Sequence, residues 1–258
     1  MNRLLTTLAL TMMFVGPVLA QDKAPGSAGM LKTAEEVLAR YVQVTGGKDG
    51  YAKIKSYIST GTMEMPASGL KAPVKTMGTM KPLTMYMSID LGQFGGTTEQ
   101  VVTEKATWSA SAIQGTRVLT GSEEAQMKRA AAMFPELTPE KFFKEMSLEG
   151  VEKVGDEDCY KVKLTPKEGK PEMVFYSVKS GLRLKNVMTM QSPQGEMQIE
   201  SQSSDYRDVG PIKMPFKAVQ KFPNGMSMSM VTESIEVNKP VDDAKFKMPA
   251  AVAKQLEK

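Results

Sequence analysis

The sequence predicts a mainly β (α+β) fold built on one large antiparallel sheet, curled or closed. Three observations carry that prediction. Thirteen segments alternate apolar and polar residues with period two and are separated by turn residues at hairpin-like spacing. Only three segments repeat their apolar residues at helical spacing, too few to cover both faces of a parallel sheet. The composition, 41% hydrophobic and 24% charged over 258 residues, is that of a chain that folds around a sizeable core.

The first segment reads as a secretory signal. Met1-Asn2-Arg3 gives a short positive start, Leu4 to Val15 an uncharged apolar run, and Gly16-Pro17 breaks it before Val18-Leu19-Ala20, with cleavage expected near Ala20. About twelve apolar residues are too few for a membrane span, which needs roughly 20. No Cys stands near the cleavage point to take a lipid, so a soluble periplasmic protein is expected. Removing residues 1–20 takes away Arg3 and no acid, leaving 32 basic against 29 acidic residues.

Residues 21–31, with Pro25, Gly26, Ser27 and Gly29, read as a flexible lead-in. A single domain is expected over 32–250 and a tail over 251–258. The domain opens with a helix. Thr33 and Glu36 form the two halves of a capping box, Val37, Leu38, Tyr41 and Val44 recur at helical spacing, and Gly46-Gly47 ends the run. After a short piece at Tyr51 to Lys55, period two takes over. Strands are expected at Tyr57–Met65, Val74–Met80, Leu83–Leu91, Thr97–Glu104, Thr107–Ile113 and Thr116–Thr120.

Two helical patterns follow. Glu123 to Phe134 places Met127, Ala130, Ala131 and Phe134 on one stripe. Thr138-Pro139 then offers an N-cap with proline at the first helical position, leading into Phe142, Phe143 and Met146. Strands resume at Leu148–Val154, Cys159–Thr165, Glu172–Val178, Leu182–Met190, Glu196–Ser203, Met214–Phe222 and Met226–Val237.

The composition excludes several chemistries. Without histidine there is no Ser-His or Cys-His pair and no imidazole ligand, and with Cys159 alone there is no internal disulfide or thiolate cage. The Lys and Arg residues are spread along the chain and aromatics make up 7%, which does not suit nucleic acid as a partner. Ser68-Gly-Leu-Lys71 matches S-x-x-K but lacks S-D-N and K-T-G partners, so it reads as a polar turn. Asp156-Glu157-Asp158 lacks the ligand spacing of a calcium loop and reads as a solvated hairpin. Cys159 reads as a small structural residue, since no His can activate it. No catalytic residue, cofactor or metal site is expected, and the chain reads as a non-enzyme.

The methionines are the most informative feature. Of 22, three fall in the signal, and nine of the rest form alternating sets: Met63/Met65, Met85/Met87, Met188/Met190 and Met226/Met228/Met230. Residues two apart on a strand point the same way, so each set paints one face with thioethers. They can fill a core, or they can line an apolar groove whose guest varies, a role that soft unbranched side chains suit. Capture of Cu(I) by thioethers is a third reading.

Three stretches of the second half carry a resemblance. They are Glu149-Gly-Val-Glu-Lys-Val-Gly-Asp-Glu-Asp-Cys-Tyr-Lys-Val-Lys-Leu164, then Phe175-Tyr176 with Ser180-Gly-Leu-Arg183, and Ile235-Glu-Val-Asn-Lys-Pro-Val-Asp-Asp-Ala-Lys-Phe246 before Met248-Pro249. The sequence resembles the outer-membrane lipoprotein-sorting proteins and the wider LolA-like periplasmic carriers across residues 33–249. That resemblance implies an incompletely closed antiparallel barrel whose concave face is apolar and partly plugged by helices. Met127, Phe134, Phe142, Phe143 and Met146 would belong to the plug. It further implies a carrier for a lipid or the acyl chains of a lipoprotein, with membrane-bound proteins as donor and acceptor. A periplasmic interaction module that binds no lipid is the alternative.

Overall fold

A computed structural model describes residues 30–192 and 195–257 of the protein. The expected signal at 1–20 and residues 21–29 of the lead-in lie outside the described residues.

The first helix, α1 (Ala34–Val44), begins where the capping box was read. Thr33 Oγ1 accepts from the Glu36 N–H at 3.2 Å, and the Glu36 carboxylate accepts from the Thr33 N–H at 3.3 Å. Its buried stripe is Ala34, Val37, Leu38, Tyr41 and Val42, so Val42 takes the place expected for Val44. Gly46-Gly47 does not lead into a loop. A second short helix, α2 (Gly47–Ala52), starts at once and absorbs Tyr51. The tight approach needs glycine: a Cβ on Gly50 would stand 2.7 Å from the Pro211 carbonyl oxygen.

Thirteen strands form one sheet. They are β1 (Ser56–Met65), β2 (Leu70–Met80), β3 (Leu83–Asp90), β4 (Thr97–Val102), β5 (Thr107–Ser111), β6 (Gly115–Val118) and β7 (Phe143–Val154). The remainder are β8 (Glu157–Pro166), β9 (Glu172–Ser177), β10 (Arg183–Ser192), β11 (Gly195–Val209), β12 (Ile212–Lys221) and β13 (Ser227–Val237). Each strand pairs antiparallel with its sequence neighbours, except that β1 joins β13 in the middle and β6 and β7 form the two free edges. The sheet is therefore an open barrel. Between its edges run α3 (Gly121–Ala131), a 3-10 turn at Pro135–Leu137 and the one-turn α4 (Pro139–Phe142). This crossing segment lies on the concave side, since one helix can touch strands six or more places apart in the sheet order only from there. Helix α3 touches β3, β4 and β5 on one wall and β10 on the other.

Register separates the two faces. Tyr57, Gly78, Met85 and Val102 stand in line across β1 to β4, and Met85 and Val102 pack against Ala131 of α3, which makes this the inner face. One residue along, Ile58, Met77, Tyr86, Val101, Trp108 and Val118 form a row on the outer face. That row is covered by Val241, Phe246, Met248 and Val252. Val252 belongs to α5 (Ala250–Leu256), so the stretch expected as a tail at 251–258 contains a helix with a fully buried anchor.

One expected plug helix is corrected. Helix α4 stops at Phe142, and Phe143 and Met146 lie on β7, where Met146 faces Leu164 of β8. Phe143 begins an extended run that pairs with Pro166, and the ladder to β8 outweighs the local helical spacing.

Candidate functional site

Beneath the crossing segment lies an open cavity of about 800 Å³, within the range of roughly 300–1,000 Å³ usual for small-molecule sites. Its wall comes from separate parts of the chain. Tyr51 and Ile54 come from α2 and the link to β1, Met80 and Leu83 from the β2–β3 hairpin, and Met133, Phe134 and Phe142 from the crossing segment. The Tyr51 and Phe134 rings meet at 4.2 Å between centroids, tilted by 50°. The Tyr51 hydroxyl donates to Thr45 Oγ1, and burial holds its pKa well above the usual tyrosine value. Around the cavity stand Lys48, Lys55, Lys81 and Lys141, and among the described residues no carboxylate lines it.

Met133 occupies an unusual backbone position. It follows α3 with φ of +56°, the left-handed region where glycine ends a helix without strain. A long side chain is held there, in the cavity wall, at a backbone conformation that costs about 1 kcal/mol.

Two reciprocal ion pairs tie the crossing segment to the β9–β10 wall. Arg129 of α3 lies 3.6 Å from Glu172 of β9, and Glu136 lies 3.3 Å from Arg183 of β10. Glu136 is buried and also accepts a hydrogen bond from the Tyr176 hydroxyl at 3.2 Å, while its second oxygen is buried with no partner. The Arg183 guanidinium lies over the Tyr41 ring, and the Tyr206 hydroxyl donates to the Arg183 carbonyl at 2.7 Å. Burial raises the Glu172 pKa against the pull of Arg129 and Arg183.

The methionine sets are divided by the fold. Met63, Met65, Met87, Met228 and Met230 gather in one inner-face cluster with Leu70, Ala72, Val74 and Ile89, and Met63 stands opposite Met230. Met85 is buried with Val102 and packs with Met127. Met188 and Met190 lie on β10 opposite Ile199 and Met197, and Met226 is exposed just before β13. None of the nine lines the 800 Å³ cavity; Met80 and Met133 do. Of the expected plug residues, Phe134 and Phe142 line it, Met127 packs beside it, and Phe143 and Met146 join the core under α1.

The remaining candidates have structural roles. Ser68 closes a 3-10 turn and donates to the Met65 carbonyl at 3.2 Å, while Lys71 pairs with Glu64 at 2.8 Å. Cys159 is fully buried, and burial beside Glu157 and Asp158 pushes its thiol up to about 11, far from a reactive thiolate.

The architecture defines a class: an open antiparallel barrel whose interior is crossed by a short helical segment. No family model matches the sequence, and no curated protein matches it. Solved structures do. A DUF1329 family protein from Desulfovibrio piger superposes with a TM-score of 0.59 at 15% identity, covering 84% of this chain and 98% of the other. A LolA superfamily protein from Nitrosomonas europaea gives 0.57 at 12% identity over 84% and 99%. A domain named for outer membrane lipoprotein sorting, from Vibrio parahaemolyticus, gives 0.56 at 11% over 83% and 95%. The chain has a LolA-like fold.

Proposed function

We propose that the chain is a periplasmic carrier for a lipid or for the acyl chains of a lipoprotein, held on the inner face without covalent chemistry. The observation that carries this reading is the open, largely apolar cavity of about 800 Å³ between the sheet and the segment that crosses it. An acyl chain gains about 0.8 kcal/mol for each CH₂ removed from water, so sixteen carbons represent roughly 12 kcal/mol gross, an upper bound. A carrier must offer a comparable surface and still release its cargo. Exchanging the crossing segment for the chain replaces one apolar partner with another and keeps the difference small. The likeness in fold to a domain named for lipoprotein sorting supports the reading, as does the signal read at residues 1–20, which would deliver the protein to the periplasm. Membrane-bound donor and acceptor proteins are the partners such a carrier requires.

The test is native mass spectrometry, with solvent extraction, of protein freshly purified from a periplasmic fraction. A stoichiometric lipid or acyl adduct is expected. Clean apoprotein that also fails to take up a fluorescent fatty acid contradicts the proposal.

A second reading rests on the cluster of Met63, Met65, Met87, Met228 and Met230, which brings thioethers from three strands together. Soft ligands select Cu(I). Anaerobic titration with Cu(I) against a competing chelator tests it, and no competition removes it.

A further inference from the structure

We infer that the cavity takes an amphiphile with an anionic head, a carboxylate or phosphate, seated among Lys48, Lys55, Lys81 and Lys141. This inference rests on the carrier reading and narrows its cargo.

Four separate places in the fold deliver these lysines. Lys48 lies in α2, Lys55 in the link to β1, Lys81 in the β2–β3 hairpin and Lys141 in α4. Backbone hydrogen bonds fix where their stems begin. The Met80 N–H donates to the Lys55 carbonyl at 2.9 Å, and the Lys141 N–H to the Thr138 carbonyl at 3.0 Å. The first bond holds the hairpin of Lys81 against the link of Lys55.

None of the four is held in an ion pair among the described residues, which they share with open-surface lysines such as Lys75 and Lys217; what distinguishes them is their common place around one apolar cavity. Among the described residues nine other lysines, such as Lys71, Lys153 and Lys213, lie within 4.0 Å of a carboxylate, and these four do not. The nearby acids Glu35, Glu136 and Glu140 line an adjoining cleft between α1 and the crossing segment, which shares Lys48 and Leu137 with the cavity but adds no carboxylate to the cavity's own lining. Positive charge is thus segregated onto the rim of an apolar cavity, and lysine stems extend apolar surface while keeping their ammonium groups in water. A small hydrophilic anion would leave the Tyr51, Leu83, Phe134 and Phe142 surface unused. A neutral lipid would leave the positive rim unused. An anionic amphiphile satisfies both halves, with electrostatics supplying selectivity for the head.

The experiment measures displacement of a fluorescent hexadecanoate from the full protein by palmitate, lyso-phosphatidylglycerol, hexadecanol and hexadecyltrimethylammonium, at low and high salt. A variant with Lys48, Lys55, Lys81 and Lys141 all changed to Gln is compared with one changed at the exposed Lys75, Lys217, Lys239 and Lys247. Both remove the same charge. We expect either anion to compete better than the alcohol or the cation, with the stronger of the two identifying the source of the head. Affinity for the anions should fall on the order of tenfold or more in the rim variant, stay near wild type in the control, and weaken with salt. Equal competition by hexadecanol and palmitate, or equal loss in both variants, overturns the anionic head and leaves the carrier standing. Failure of wild-type protein to bind any of the four overturns both.

Discussion

Glu136, on the segment that crosses the barrel, lies 3.3 Å from Arg183 on the wall, and Arg129 and Glu172 form the same kind of link with the charges reversed. The segment is therefore pinned by polar contacts at two points while its apolar side chains line the cavity. Apolar contacts hold it in place without defining one position; the two ion pairs define the position. Segment movement during loading would have to break them.

A double-mutant cycle of Glu136→Gln and Arg183→Met measures the first link. Arg183 is about a quarter exposed, which screens the pair, so a coupling of about 1–3 kcal/mol is expected, below that of a fully buried pair. Urea denaturation gives the coupling. Both single variants should also load a fatty acid faster, since they loosen the strap.

Glu172 gives a pH signature. Its folded pKa is raised by burial above the ordinary carboxylate value of 4.5, so the folded state binds this proton more tightly than the unfolded state. Its contribution to stability is greatest below 4.5 and falls as pH climbs from there through the raised value. Stability of the Glu172→Gln variant, followed by thermal melting, should lack that decline across the same window.

Met133→Gly separates stability from binding. Glycine removes the penalty of a positive φ and gives up one side chain of the cavity wall, while adding freedom to the unfolded chain. Melting should shift by no more than about 1 kcal/mol in stability, and affinity for hexadecanoate should fall by about fivefold. An unchanged affinity would remove Met133 from the site.

Methionine oxidation maps the guest. Met80 and Met133 line the cavity, whereas Met226 and Met197 are exposed outside it. Under mild peroxide, a bound fatty acid should slow sulfoxide formation at the first two and leave the others unchanged, as read by peptide mass spectrometry.

Period two revealed all thirteen strands because alternation is a local signal that the ladder then reinforces. The capping box at Thr33 and Glu36 was equally local. The fate of Phe143 and Met146 was not, since their helical spacing yields to pairing with β8, a partner supplied by tertiary structure. Helix α5 escaped notice because its anchor, Val252, is a single residue that gains meaning only against Trp108 and Val101. The site was legible only in part. Phe134 and Phe142 stood out as plug residues, while alternation drew attention to methionines that mostly pack against one another. The lysine rim spans residues 48 to 141, and three of its four members sit beside an apolar residue, while Lys48 stands between Gly47 and Asp49. That juxtaposition is faintly visible as Ile54-Lys55, Met80-Lys81 and Lys141-Phe142, but only the path of the chain brings the four together.

The most direct test of an acyl site under the crossing segment is to fill it. Ala132 lines the cavity and is half-buried, so Ala132→Trp would place a bulky ring inside the cavity. Fatty-acid stoichiometry is measured by native mass spectrometry for wild type and variant, with melting as the check on folding. One chain per wild-type molecule and none in a variant that melts normally is the predicted result. Equal uptake by both, or no uptake by wild type, would contradict the account.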